Sequence, residues 1–147
     1  MSIIVSEQLF TGEVTMGGIE RNLRGDRKAA KATLSAGTES TNKVTVTIKL
    51  VCENGAPINC RTVVPFWIST DADGDVIDPT GPSAIAIGTD GTLRPNGGDS
   101  VVDGCLISEA DGDIDVVVTR TNVTDTSYFN VAVGGRVFTS NALVFTT

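Results

Sequence analysis

The chain has 147 residues, 40% of them hydrophobic, with 18 acidic and 11 basic side chains and a formal net charge of −7. That length suits one ordinary domain with a real core, and the acidic balance does not suit nucleic-acid binding, which rests on neutralising phosphates. The absence of histidine removes Ser-His and Cys-His nucleophile pairs, histidine metal sites and imidazole acid–base chemistry, and no run of about 18 apolar residues offers a membrane span.

The opening, MSIIVSEQLF, lacks a basic n-region and meets Glu7 early. The expectation is therefore no signal peptide and residence in a cytoplasm. Residues 1–40 balance five basic against five acidic groups, so the whole net charge lies in residues 41–147. Ile19, Leu23, Ala30 and Leu34 form a weak helical stripe. Gly25 inside it costs about 1 kcal/mol against alanine, and Arg24 and Lys28 are like charges four apart. Such a segment needs a surface to lie on. Ser35–Asn42 has the composition of a polar hinge.

Residues 1–42 are thus expected to form an arm, extended or marginally helical, ahead of a sandwich over 43–147. Two readings stand side by side: a tail or edge strand folded onto the body, and an arm that docks on a partner. On the second, the partner-binding candidates are the apolar Ile3, Ile4, Leu9, Phe10, Ile19 and Leu23 with the basic Arg21, Arg24, Arg27, Lys28 and Lys31. Apolar groups would supply affinity, and basic groups opposed to an acidic neighbour would set encounter rate and orientation.

From Lys43 the pattern sharpens. Val44, Val46, Ile48 and Leu50 alternate with Thr45, Thr47 and Lys49, the period of a half-buried strand. A turn-rich interval with Asn54, Gly55 and Pro57 leads to a second strand, Arg61–Ser69, whose apolar residues are less cleanly periodic. Two strands cannot hide such a face, so a second layer of sheet is required. Cys52 and Cys60 flank the turn and could lie opposite each other. An odd count of three cysteines without a secretion signal favours free thiols.

Asp71, Asp73 and Asp75 alternate as in calcium loops. The sixth and twelfth places counted from Asp71 hold Val76 and Pro82 instead of the required glycine and glutamate, so a tight Asp-Gly turn is favoured over a metal site. A second ADGD at Ala110–Asp113 reads as another turn of the same kind. Strands are expected at Ser83–Gly88, Val101–Ser108 (with Gly104 as a bulge), Ile114–Thr119, Tyr128–Val133, Arg136–Thr139 and Ala142–Phe145. Loops are expected at Arg94–Ser100 and Arg120–Ser127, and a hairpin at Gly134-Gly135. Turns every eight to twelve residues indicate an all-β immunoglobulin-like or Greek-key sandwich. Its expected core is Val44, Val46, Ile48, Leu50, Trp67, Val116, Val118, Phe129 and Val131. No carboxylate sits in an apolar setting and no phosphate loop is present, so no catalytic residue, metal site or cofactor is expected.

The succession VTVTIKLVCENGAPI, VPFWISTDADGD, SEADGDIDVVVT and YFNVAVGGRVFTSNALVF resembles small immunoglobulin-like virion proteins of tailed bacteriophages. The resemblance covers residues 43–147; the first forty match nothing in it, and the cysteines depart from it. It implies a non-enzymatic structural role, such as capsid decoration, cementing or a head fibre. The implied partners are the major capsid protein, other virion subunits or further copies of the chain, with no nucleic acid and no membrane. The implied location is the capsid surface of a virion assembled in the host cytoplasm. A head-fibre or tail-associated module that binds host carbohydrate through loops such as Arg94–Ser100 is the alternative.

Overall fold

The structure, a computed structural model, describes residues 27–96 and 101–146. It is organised by the alternating stretch from Lys43. Val44, Val46, Ile48 and Leu50 have no exposed surface, while Thr45 and Thr47 face solvent, in a strand running Lys43–Val51 (β2). On one side β2 pairs with Lys31–Ala36 (β1), and on the other with Asp113–Thr119 (β7). Beyond β7 lies Ala84–Ile87 (β4), completing a four-stranded antiparallel sheet in the order β1-β2-β7-β4.

The second layer is centred on Val63–Ser69 (β3). It pairs with Asp103–Ile107 (β6), which is edged by Thr92–Pro95 (β5), and with Thr124–Val133 (β8). The far side of β8 carries Arg136–Thr139 (β9) and then Leu143–Thr146 (β10), giving a six-stranded sheet. Among the described residues these ten strands are the only regular elements. In the lettering of immunoglobulin constant domains, β1, β2, β7 and β4 take the places of A, B, E and D. β3, β8 and the divided β9/β10 take those of C, F and G. The β5–β6 hairpin is an addition between D and E that widens the C edge.

Between the sheets lies one buried apolar cluster running from Ala32 to Phe145. At its centre the rings of Phe66 and Phe129 stack with centroids 5.2 Å apart and planes at 6°. The sandwich is laced along the β1 side. Asn141 accepts the N–H of Ala36 (2.8 Å) and donates to its carbonyl (3.0 Å), joining the edge of one sheet to the β9–β10 break in the other. Ser140 makes that break, exchanging backbone and side-chain bonds with Phe129.

Four expectations change. Lys31–Leu34, placed at the end of a helical stripe and within the arm, belongs to strand β1. Its alternation of Ala32, Leu34 and Ala36 with Lys31, Thr33 and Ser35 matches the face that β2 leaves open, and pairing outweighs a helix weakened by Gly25. Trp67, expected in the core, is half-buried on the outer face, because Val64, Phe66 and Ile68 take the inward positions of β3. Both expected loops give up residues to strands: β8 begins at Thr124, inside Arg120–Ser127, and β5 takes Arg94 and Pro95 from Arg94–Ser100, of which residues 97–100 lie outside the described residues. Gly104 stays in register with Phe66 and Pro95 instead of bulging. A Cβ there would meet the Arg94 carbonyl at 2.5 Å, so the glycine serves a close strand approach.

Candidate interaction surface

The outer faces of the two sheets differ. On the four-stranded sheet the cross-strand neighbours are Ser35 with Thr47, Thr33 with Lys49, and Lys49 with Asp113, the last an ion pair of 2.7 Å. That face is the usual polar exterior of a sandwich. On the six-stranded sheet the outward residues of β3 are Val63, Pro65 and Trp67, set against Ile107, Cys105 and Asp103 of β6. Extending the β3–β8 register by one residue puts Pro65 beside Ala132, which pairs with Val137. Val63, Val137 and Ile77 are 61%, 51% and 49% exposed. Large aliphatic side chains left in water on β3, on β9 and in the loop after β3 give this side of the sandwich an apolar character that calls for a partner.

Part of this face is concave. A cleft of about 420 Å³ is bounded by Pro65, Trp67, Ile77, Arg94, Asn96 and Cys105. Its wall is the loop after β3, held by specific bonds. Trp67 Nε1 donates to the Gly74 carbonyl at 2.9 Å. The Asp71 carboxylate accepts the N–H groups of Val76 (2.9 Å) and Asp75 (3.3 Å), and the Val76 amide holds that carboxyl below its ordinary value of 3.8. Gly74 takes φ +81° against Asn130, whose amide donates to Trp67 O and Ser69 Oγ.

Asp71 is thus engaged by its own backbone. The echo at Glu109–Asp113 has the same turn: the Gly112 N–H donates to Glu109 O at 3.0 Å, as the Gly74 N–H does to Asp71 O at 3.3 Å. Among the described residues no group of three or more His, Cys, Asp or Glu is arranged to hold a metal ion. Cys52, Cys60 and Cys105 are free thiols, the first two donating to the carbonyls of Pro57 and Arg27.

The buried ionic cluster is structural. Arg120 pairs with Asp78, and both are nearly fully buried. Asp78 also accepts from the N–H groups of Thr80 and Gly81 and the Thr80 hydroxyl. Arg120 Nε lies 3.0 Å from Asp125 Oδ2, a charge contact not aligned as a hydrogen bond. Burial pulls the guanidinium below its ordinary value and Asp125 opposes that pull. The cluster ties the loop ahead of β4 to the β7–β8 connection.

Of the residues proposed from sequence to bind a partner, Ile3, Ile4, Leu9, Phe10, Ile19, Arg21, Leu23 and Arg24 lie outside the described residues. Arg27 is exposed and anchored: its N–H donates to Asn59 Oδ1 (2.8 Å) and its Nε to Pro57 O (2.9 Å). Lys28 is exposed beside it, and Lys31 opens β1 opposite Val51. A shallow groove lined by Lys28, Ala29 and Cys60 to Val63 leads from this anchor to the apolar face. Sequence reasoning missed that face. The signal was present in Val63, Pro65 and Trp67, a second period-two series interleaved with Val64, Phe66 and Ile68.

The strand order and the two unlike faces define an immunoglobulin-type β-sandwich with one polar and one apolar exterior. No family model matches the chain, and a search of curated proteins gives no match.

Proposed function

We propose that the chain is a non-enzymatic structural virion protein of a tailed bacteriophage, a capsid decoration or cement protein that docks on the major capsid protein through its N-terminal arm. The supporting observation is how the chain divides its apolar residues. Among the described residues the sandwich closes its core with twenty buried apolar side chains from Ala32 to Phe145. Residues 1–26 hold a further apolar set, Ile3, Ile4, Leu9, Phe10, Ile19 and Leu23. The resemblance of residues 43–147 to immunoglobulin-like virion proteins supplies the kind of partner. Docking by a short segment gives weak single contacts, and a repeating lattice compensates through avidity. The test is mass spectrometry of gradient-purified particles of the phage that encodes the chain. The chain should be present at a stoichiometry set by the lattice; its absence from intact particles would end the reading.

The cleft supports a second reading, a module binding host carbohydrate. A half-buried tryptophan beside Arg94, Asn96 and Asp103 offers an apolar platform with polar groups at its rim. Glycan arrays with the purified protein separate the two readings.

A further inference from the structure

We propose that β4 pairs with β4 of a second copy of the chain, antiparallel about a two-fold axis at Ala86, joining two four-stranded sheets into one of eight strands. The inference does not rest on the virion reading and concerns the isolated protein.

The register of the four-stranded sheet decides which backbone groups face outward. The Leu50 N–H donates to Gly112 O and the Arg120 N–H to Asn42 O, so the even-numbered residues of β7 bond toward β2. The odd-numbered ones bond toward β4, where the Gly88 N–H donates to Asp115 O at 2.7 Å. Alternation then turns the backbone of Ala84 and Ala86 toward β7. It leaves the N–H and C=O of Ile85 and Ile87 on the open side. Among the described residues no strand lies beyond β4 in its sheet, and such a row of backbone groups is a template for another strand.

The other three sheet edges are guarded. On β5, Pro95 has no N–H to offer on the open side and Arg94 adds a charge. On β1, Asn141 takes both backbone groups of Ala36, and Arg136 donates to Ala30 O. The edge strand β10 faces residues 36–39 across a groove with Glu39 at its rim. Strand β4, with the sequence AIAI, has neither a charge nor a proline.

Self-complementarity points to a second copy as the occupant. Setting Ala86 opposite itself places Ile85 opposite the partner's Ile87, and Ile87 opposite the partner's Ile85. These are the residues whose backbone groups face outward, so the pair closes four N–H···O=C bonds with none left over. The half-buried side chains of Ile85 and Ile87 lie against the core, and the pairing sets each beside its apolar counterpart. Charge does not oppose the match. In this arrangement Asp90 and Asp115 stand about 20 Å or more from their copies, well beyond the screening length of about 8 Å at physiological salt.

Four bonds along so short a strand make a weak dimer. Sedimentation equilibrium is therefore run from micromolar to millimolar chain, at about 0.15 M salt, on the full chain, Ala86→Glu, Ala86→Lys and an equimolar mixture of the two variants. Ala86 is exposed, so neither variant removes a core group. The full chain should approach twice the chain mass as concentration rises. Each variant alone puts like charges opposite each other at the axis and should weaken the dimer at least about tenfold. The mixture should restore it, because position 86 meets only position 86. Amide exchange at Ile85 and Ile87 should slow with concentration in the full chain and in neither variant alone. A full chain that is monomeric at every concentration would overturn the proposal. So would a dimer that both variants leave intact, or one that the mixture does not restore. Protection of the two amides at all concentrations would also overturn it, because the edge would then be covered within one chain.

Discussion

Two truncations test where the folded body begins. Deleting residues 1–26 leaves the described core from Ala32 to Phe145 in place, and on the proposal that the arm serves a partner and not the sandwich, stability should change by no more than about 1 kcal/mol. Deleting residues 1–40 removes β1. Ala32 and Ala36 lose their buried methyls and Leu34 its half-buried side chain, together about 2–3 kcal/mol. The paired bonds between Ala36 and Asn141 contribute about 1 kcal/mol more. The ladder to β2 is roughly offset by the entropy of ordering six residues, at about 1–2 kcal/mol each. The net loss of about 3–4 kcal/mol should lower the urea midpoint by about 2 M if m is near 2 kcal/mol/M. The assay is urea unfolding followed by circular dichroism. A 1–40 deletion as stable as the full chain would show that β1 contributes nothing and that the body starts at Lys43. A 1–26 deletion that fails to fold would show that the first segment is part of the core.

The remaining predictions follow from single contacts. Phe66→Ala should cost about 3–5 kcal/mol, and Trp67→Ala about half that, since only Phe66 is stacked in the core; comparison of chemical melts checks the order. Arg120→Ala leaves Asp78 buried without its cation and should cost about 3–5 kcal/mol, whereas the double change Arg120→Met/Asp78→Leu should cost much less. Asp71 is held below its ordinary value by backbone amides, so its hold on the loop is complete above pH 3.8 and is lost as the pH falls through the lower folded value. An acid titration of Trp67 fluorescence should show that loss, and Asp71→Ala should abolish the transition. Gly112→Ala should destabilise the fold, because the residue has φ +94° and its Cβ would meet the Leu50 carbonyl at 2.5 Å.

The sheet layers were legible in the sequence where alternation was strong. Val44 to Leu50, the Val116/Val118 strand and Phe129/Val131 each repeat every second residue, and each faces the interior. Strand β1 was not legible, because Ala32 and Ala36 carry too little apolar surface to mark a period of two. Ala30 and Leu34 meanwhile share a helical spacing. Trp67 was misplaced for a different reason: β3 has apolar residues on both faces, so size alone pointed inward while register decides the matter. The apolar exterior was hidden by the same overlap. The anchoring of Arg27 depends on Pro57 and Asn59, about thirty residues away, a contact that no local pattern announces.

The proposed role is that of a virion protein held to a particle by its N-terminal segment. The direct measurement is co-sedimentation of purified protein with particles lacking it, comparing the full chain with the 1–26 deletion over a concentration series. The full chain should saturate at a fixed number of copies per particle, and the deletion should bind at least about a hundredfold more weakly while remaining folded. Equal binding by the two proteins, or no saturable binding by the full chain, would contradict the account.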